Sequence, residues 1–206
     1  SDPDAPAGPE AASVRSLRLF VALAAPDAVK DAAEAAIRPL RGAGDVRWVT
    51  RERLHLTLKF LGPTPPAQAP RLEEILAETA NRFSRFVVEL GRPGAFPNVR
   101  KPQTLWLDIG GVDGALLRAL GDAVDEAVHP LGFPREARAF RPHLTIGRVR
   151  SPRGLAELSR RLQSAAEGEV VPVPWPVQEF QLVRSDLRPA GPEYTVLHRF
   201  PLRAEE

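Results

Sequence analysis

The chain has 206 residues, of which 43% are hydrophobic and 26% charged, and its formal net charge is +2. This length allows one large domain or two small lobes with a substantial apolar core. The absence of cysteine excludes disulfide frameworks, thiolate nucleophiles, iron–sulfur clusters and cysteine-based zinc sites. A net charge so close to zero gives no indication of a protein that wraps a long nucleic acid.

The N-terminal segment and the hydropathy of the chain indicate a soluble protein. Residues 1–15 are rich in Pro, Ala and acidic side chains, so we expect a disordered tail there. No stretch approaches the ~20 apolar residues of a membrane span. The N-terminal sequence also lacks the basic and apolar regions of a secretory signal. We therefore expect a monomeric cytoplasmic protein that does not associate with membranes.

Apolar runs, helix formers and Gly/Pro punctuation predict alternating strands and helices along the first half of the chain. The alanine-rich segment after Pro26 is typical of a helix, ended by Gly42 and Gly44. The segment GRPGAFPN after residue 90 is typical of a turn. The predicted elements are strands at 17–24, 47–49, 54–60 and 86–90, and helices at 28–40 and 66–82.

The second half repeats this order at a constant offset of 88 residues. Shifted by that offset, the first strand and both helices of the first half fall on corresponding elements of the second. Two copies of a β-α-β-α-β unit predict an α+β fold of two similar lobes about a pseudo-twofold axis, with corresponding strands facing across a central cleft. We assign residues 16–203 to this single bilobal domain. The predicted elements are strands at 104–109, 143–149, 177–183 and 194–200, and helices at 116–128 and 153–163.

The same tripeptide occurs in both copies, as His55-Leu-Thr57 and His143-Leu-Thr145. Residues two apart on a strand share a face, so each copy presents an imidazole and a hydroxyl on one side and apolar anchors on the other. Two facing imidazoles suit a reaction that removes one proton and delivers another, because the histidine pKa is about 6.5. The threonine hydroxyls can donate to an anion bound between them.

Other kinds of site have less support in the sequence. Neither motif has a cysteine or serine partner, so covalent catalysis is not favoured. No Asp or Glu lies within four residues after either motif, so a three-ligand zinc site is not indicated. His129 and His198 have no partner motif and are expected to be structural. The alternative interpretation of the tripeptides themselves is two unrelated strands with solvent-facing polar sides.

The sequences around the tripeptides resemble a known group of enzymes. HLTLKFLG at 55–62 and RPHLTIGRV at 141–149 are similar to the two HxTx signatures of the two-histidine (2H) phosphoesterase superfamily. RLFVALAAP at 18–26 and the segment 180–202 resemble its RNA 2′,3′-cyclic phosphodiesterase branch, also called 2′-5′ RNA ligase. The resemblance implies a bilobal fold, with antiparallel sheets lining a central cleft and helices outside.

The resemblance also implies an activity, the opening of a terminal RNA 2′,3′-cyclic phosphate to a 2′-phosphate without a metal or other cofactor. Some members also join RNA through 2′-5′ bonds in the reverse reaction. The resemblance makes His55 the general acid for the departing 3′-oxygen and His143 the general base for water, while Thr57 and Thr145 hold the phosphate. The residues alone identify the pair but not which member is the acid. Alternatives are a small cyclic nucleotide or 2′-5′ oligonucleotide as substrate, or a non-catalytic module that binds RNA ends.

Three further residues are candidates for substrate binding. Lys59 shares the imidazole face by alternation and can reach a phosphate, the alternative being a solvated lysine. Arg148 resembles an arginine that follows the second motif in relatives, although strict alternation places it on the apolar face unless Gly147 permits a bulge. Trp48 is either a base-stacking residue or a buried one. Phe60 belongs to the apolar face and is expected in the core.

Overall fold

The computed structural model describes residues 16–204, which form two antiparallel β-sheets covered by helices. The α+β class predicted from the sequence is confirmed. The predicted tail at 1–15 lies outside the described residues. The assignment of 16–203 to a single duplicated domain stays a prediction.

The strands are β1 (Leu17–Ala24), β2 (Asp45–Trp48), β3 (His55–Thr64), β4 (Phe86–Phe96), β5 (Thr104–Gly110), β6 (His143–Ser151), β7 (Val173–Val177), β8 (Glu179–Arg188) and β9 (Gly191–Pro201). The helices are α1 (Asp27–Ile37), α2 (Ala69–Ala80), α3 (Gly114–Val128) and α4 (Leu155–Glu167).

Apart from β2, the two sheets correspond to each other strand for strand, and each contains strands from both halves of the chain. The first sheet has the order β3-β1-β8-β9, and the second has β2-β6-β5-β4-β7. The motif strands β3 and β6 therefore occupy equivalent places, next to β1 and β5 respectively. Two strands of each half lie in the sheet that holds the other half's motif: β2 and β4 pair with β6 and β5, while β8 pairs with β1 and carries β9 beside it. The two halves are interleaved through these exchanged strands.

Alternation along the central strands divides each sheet into a core face and a motif face. The core face packs under the helices in one large apolar cluster that includes Leu56 of β3 and Leu144 of β6, both fully buried. Burying side chains of this size stabilises the fold by roughly 1.5–3 kcal/mol each. On the other face of the first sheet, Phe20, Ala22 and Val183 form a separate small cluster. Within residues 16–204, no helix is long and apolar enough to cross a bilayer.

Two stretches rich in proline and glycine differ from their predictions. The segment 91–96, predicted as a turn, continues β4 through an irregularity between Leu90 and Pro93. Strand β7, with the sequence VPWPV, was not predicted at all, yet it pairs with β4 at the edge of the second sheet. Proline lacks the N–H that an interior strand must donate, but an edge strand can leave one side of its backbone unpaired. Trp175 anchors β7 with only 1% of its surface exposed.

A β-bulge interrupts β3 directly after the first motif. Val21 pairs with Lys59 while Ala22 pairs with Thr57, so Leu58 has no opposite residue. Such an extra residue shifts the alternation of everything that follows it. Lys59 is consequently 4% exposed and Phe60 is 65% exposed. The predicted core position of Phe60 is therefore wrong, and so is the predicted placement of Lys59 on the imidazole face.

An equivalent bulge follows the second motif in β6. Leu105 pairs with Gly147 while Trp106 pairs with Thr145, which leaves Ile146 without an opposite residue. Gly147 is buried and Arg148 is exposed. The bulge that the sequence left open is thus present, and it turns Arg148 onto the motif face.

Candidate active site

The two motif strands approach each other although they belong to different sheets. Arg148 lies near both motifs, because its positive charge acts to lower the pKa of His143 and that of Tyr194. The ring of Tyr194 in turn packs at right angles against His55, with 5.0 Å between ring centroids. The two motifs therefore border one site, which we call the cleft.

The imidazole of His55 is held by its backbone and by aromatic rings. Its Nδ1 lies 2.6 Å from the carbonyl oxygen of Arg53, and its Nε2 lies 3.1 Å from Oγ1 of Thr57. Because a carbonyl can only accept, Nδ1 carries a hydrogen, and Nε2 is the nitrogen that exchanges a proton. Phe20 packs on the ring with 4.8 Å between centroids, and it also contacts Tyr194. Burial lowers the pKa of His55, and the hydrogen bond to the Arg53 carbonyl opposes part of this shift.

His143 repeats this arrangement in the second sheet. Its Nδ1 lies 2.7 Å from the carbonyl oxygen of Arg141, so the same tautomer is fixed and Nε2 is left as the nitrogen that can exchange a proton. Phe96 meets the ring edge-on at 5.1 Å. Burial lowers the pKa of His143, and the positive charges of Arg148 and Arg141 lower it further. The hydrogen bond to the carbonyl opposes these effects.

The two threonines and Arg148 complete the polar side of the cleft. Thr57 and Thr145 are half-buried and share the faces of their histidines, as the alternation predicted. Arg148 donates from Nη1 to Oγ1 of Thr104 at 3.3 Å. The guanidinium is exposed, so four of its five N–H groups are available to a bound anion. The cleft thus brings together two imidazoles, two hydroxyls and a cation.

Lys59 is not part of this constellation. Its Nζ donates at 2.6 Å to Asp125 of α3, at 2.6 Å to the carbonyl oxygen of Pro134, and at 3.2 Å to Glu136. The backbone N–H of Glu136 also donates to Asp125, so these groups form one network. The bulge at Leu58 is the physical reason, because it turns the lysine towards the helices. Lys59 therefore joins the first motif strand to the segment that leads into the second motif.

Trp48 lies beside the second motif on the core side of its strand. It pairs with Gly147 in β2, and a Cβ added to that glycine would come within 2.9 Å of the indole ring. The ring also packs against the main apolar cluster. Its side chain is half-buried, between the buried residue and the exposed base-stacking residue that the sequence allowed. The structure does not bring it together with the two imidazoles.

The aromatic neighbours of the two histidines were missed by sequence reasoning. Phe20 and Tyr194 contact His55, and Phe96 and Trp106 lie beside His143. These side chains come from strands far from either motif in the sequence. Alternation along each strand can indicate the face on which a side chain lies, but only the pairing of strands shows which side chains are its neighbours. His198, by comparison, packs on the buried Phe200 at 4.7 Å, consistent with a structural role.

The side chains of the cleft can exchange protons, donate hydrogen bonds and bind an anion. In residues 16–204, no cluster of three or more His, Asp or Glu side chains is placed to hold a metal ion. Imidazoles, hydroxyls and a guanidinium placed together can carry out general acid–base chemistry on a substrate with a negative charge.

Comparison with known proteins identifies related sequences and structures. A family model described as the 2′-5′ RNA ligase superfamily matches residues 29–189. The RNA 2′,3′-cyclic phosphodiesterase of Archaeoglobus fulgidus is 36% identical over 185 residues, covering 89% of this chain and 99% of the relative. The protein of the same name from Thermus thermophilus is 34% identical over 198 residues, covering 92% of each chain.

Solved structures share the fold. The crystal structure of TT0787 of Thermus thermophilus superposes with a TM-score of 0.74 at 31% identity, covering 92% of this chain and 100% of that one. The apo form of E. coli LigT gives a TM-score of 0.62 at 25% identity, covering 91% and 98%. The similarity therefore extends over nearly the whole length of both chains.

Proposed function

The chain belongs to the 2′-5′ RNA ligase superfamily, and from this premise we propose that it opens RNA 2′,3′-cyclic phosphate ends to 2′-phosphomonoesters. The observation that carries the proposal is the pair of histidines, each fixed in the same tautomer with Nε2 available for proton transfer. The names of the curated relatives, RNA 2′,3′-cyclic phosphodiesterase, support the substrate class. All of the residues used below come from one chain, so the proposed site needs no residue from a second copy.

The proposed reaction is an in-line displacement at phosphorus. A water oxygen bonds to phosphorus while the bond from phosphorus to the 3′-oxygen breaks. His143 takes the water proton through Nε2, and His55 gives its Nε2 proton to the departing 3′-oxygen. The product carries a 2′-phosphate and a free 3′-hydroxyl. Two positioned proton-transfer groups of this kind each contribute roughly 10²–10⁴-fold to a rate.

The cationic surroundings of His143 support its role as the base. The base must be neutral, and the charges of Arg148 and Arg141 add to burial in holding down the pKa of His143. The acid must be protonated when substrate is bound. His55 lies among aromatic rings, where burial lowers its pKa in the free enzyme. A bound phosphate reverses that shift, because an opposite charge acts strongly in a site of low dielectric constant.

The remaining groups bind the substrate. Thr57, Thr145 and Arg148 donate to the non-bridging phosphate oxygens as charge builds on them. Phe60 presents a largely exposed ring, 6.2 Å from Phe20, on the His55 side of the cleft. A base of the terminal nucleotide can stack on such a surface with little sequence preference. The same machinery joins RNA through a 2′-5′ bond when a 5′-hydroxyl takes the place of water.

The test is turnover of an RNA oligonucleotide that ends in a 2′,3′-cyclic phosphate, in the presence of EDTA, with product mapping. His55→Ala and His143→Ala are each expected to lose roughly 10²–10⁴-fold in rate. His198→Ala is the matched control, because it removes an imidazole that packs on Phe200. Near wild-type turnover by a folded variant of either motif histidine contradicts the mechanism. A 3′-phosphate product contradicts the proposed leaving group.

A further inference from the structure

A cavity of about 170 Å³ opens beside His143. It combines ring walls with charged groups of both signs. The rings are Phe96, Trp106 and Phe140, and the charged groups are Asp108, Arg118 and Arg141. The phosphate mechanism described above leaves the ring walls, Asp108 and Arg118 without a role.

Glycines hold two of the ring walls in place. A Cβ on Gly94 would lie 2.3 Å from the indole of Trp106, and a Cβ on Gly121 would lie 2.4 Å from the ring of Phe140. Real Cβ contacts are not this short, so any other residue at either position would move the ring above it. Gly121 lies within α3, where glycine destabilises a helix by roughly 1 kcal/mol relative to alanine. Its presence there is explained by the ring that it accommodates.

The size and chemistry of the cavity fit one nucleobase. Sites for drug-sized ligands are larger, roughly 300–1,000 Å³, so this cavity suits a single planar ring system and not a whole nucleotide. Aromatic walls provide stacking surfaces. Asp108 lies directly opposite His143 in the pairing of β5 with β6, and its carboxylate accepts from base amino groups. Arg118 and Arg141 donate to base carbonyl oxygens or to a neighbouring phosphate.

We propose that this cavity is the subsite for the nucleoside whose 5′-oxygen is attached to, or attacks, the phosphorus from the His143 side. The inference rests on the proposed function. In an in-line displacement the attacking and departing oxygens lie on opposite sides of phosphorus. His55 serves the 3′-oxygen of the ribose that carries the phosphate, so the opposite side, at His143, receives the nucleophile. A nucleoside that replaces water there places its base in the cavity.

The step is balanced in both directions. In joining, the 5′-oxygen bonds to phosphorus, the bond to the 3′-oxygen breaks, His143 takes the 5′-hydroxyl proton and His55 gives a proton to the 3′-oxygen. In cleavage of a 2′-5′ diester, the 3′-hydroxyl attacks, the bond to the 5′-oxygen breaks, and each histidine performs the opposite transfer. When water is the nucleophile, no base occupies the cavity. Hydrolysis of the cyclic phosphate should therefore depend on the cavity less than joining or cleavage of a 2′-5′ diester does.

The experiment compares two substrates, a 2′-5′-linked diadenosine monophosphate and an RNA oligonucleotide that ends in a 2′,3′-cyclic phosphate. Phe140→Ala and Arg118→Ala are each expected to lower the ratio of diester cleavage to cyclic phosphate hydrolysis at least fivefold, the lower end of a lost stacking contact. Gly121→Ala displaces the ring of Phe140 from its place in the cavity wall and is expected to do the same, and it keeps α3 intact because alanine is the better helix former. Arg71→Ala on the exposed face of α2 is the matched control.

The two proposals fail in different ways. A wild-type protein that does not open the cyclic phosphate overturns the proposed function. A wild-type protein that opens it but does not cleave the 2′-5′ diester overturns the subsite. The subsite is also overturned if Phe140→Ala and Arg118→Ala lower both rates by the same factor, or if Gly121→Ala leaves the ratio unchanged.

Discussion

His55 and His143 share one hydrogen-bonding arrangement but have different electrical surroundings. Each donates from Nδ1 to the carbonyl oxygen two residues before it, at 2.6 Å and 2.7 Å. Around His55 the neighbours are the rings of Phe20 and Tyr194. Around His143 two arginine charges act on the ring as well. The backbone therefore sets the tautomer of both histidines, and burial lowers the pKa of both, but arginine charges add to that lowering only at His143.

The position five residues after each histidine extends this contrast. An equivalent bulge turns Phe60 outwards in the first copy and Arg148 outwards in the second. The same backbone irregularity thus presents an apolar stacking surface on one side of the cleft and a cation on the other. The four predictions below test this difference, beginning with the largest expected effect.

The first prediction separates the acid from the base. His55→Ala is expected to lose roughly 10²–10⁴-fold on a 2′,3′-cyclic phosphate, but far less on a nucleoside p-nitrophenyl phosphodiester, because nitrophenolate departs without a proton. His143→Ala is expected to be slow on both substrates. Initial rates from product chromatography and nitrophenolate absorbance provide the measurement. Equal sensitivity of the two variants to the leaving group would show that the two histidines do not divide the work in this way.

The second prediction concerns the residue directly before Phe60 and Arg148. It is the buried Lys59 in the first copy and Gly147 in the second. Lys59→Met leaves Asp125 without its buried partner, and removing one member of such a pair destabilises by roughly 3–5 kcal/mol. Urea unfolding monitored by tryptophan fluorescence measures the change. Lys101→Met is a control on an exposed lysine. A loss of less than about 1 kcal/mol, the range of surface ion pairs, would contradict a structural role for this network.

The third prediction tests the cationic side. Arg148→Gln is expected to lower kcat/KM roughly 10–100-fold, the equivalent of one charged hydrogen bond to the phosphate. Its removal also raises the pKa of His143, since the arginine charge contributes to holding that pKa down. The base is active only when neutral, so the acidic limb of the kcat/KM profile moves to higher pH.

Arg150→Gln, two residues along the same strand and paired with Asp45, is the matched control for Arg148. It is expected to leave the acidic limb in place. If the acidic limb of Arg148→Gln were unchanged, Arg148 would not influence the pKa of the catalytic base. This conclusion would hold whatever the effect of the substitution on KM.

The fourth and smallest effect is expected at Phe60. Phe60→Leu removes an exposed ring without disturbing the core, so stability should change by less than about 0.5 kcal/mol. The KM for an RNA end should rise about fivefold through the loss of stacking. Val87→Ala, another exposed apolar position, is the control. An unchanged KM would show that the ring of Phe60 does not contribute to binding of the RNA end.

Side-chain alternation made the central part of the site predictable from sequence. His55 and Thr57 share a face because they are two residues apart on a strand, and the same holds for His143 and Thr145. The α+β class followed from the repeated order of elements. Lys59, Phe60 and Arg148 were harder to place because each lies just beyond a bulge in its own strand, where the shifted pairing with the neighbouring strand determines the face. A sequence can allow such a shift, as Gly147 does in the second copy, but it does not show whether the shift occurs.

The aromatic neighbours illustrate a second limit. Tyr194 comes from the last strand and Phe20 from the first, and they meet at His55 only because β8 lies between β9 and β1. The order of strands in each sheet depends on which strands of one half pair with strands of the other, as β4 and β8 do. The hydrophobic periodicity of the sequence does not contain this information. The prolines of β7 similarly argued against a strand, although an edge strand can contain proline.

The exchange of strands between the two sheets has a consequence for how the site is held together. Cut between β4 and β5, the chain would give two pieces, each separated from two strands of the sheet that holds its motif and each exposing unpaired edges. A single copy of the predicted repeat would need the corresponding strands of a second copy, as in a domain-swapped dimer. The two histidines would then meet only between subunits, whereas in this chain their encounter is independent of protein concentration.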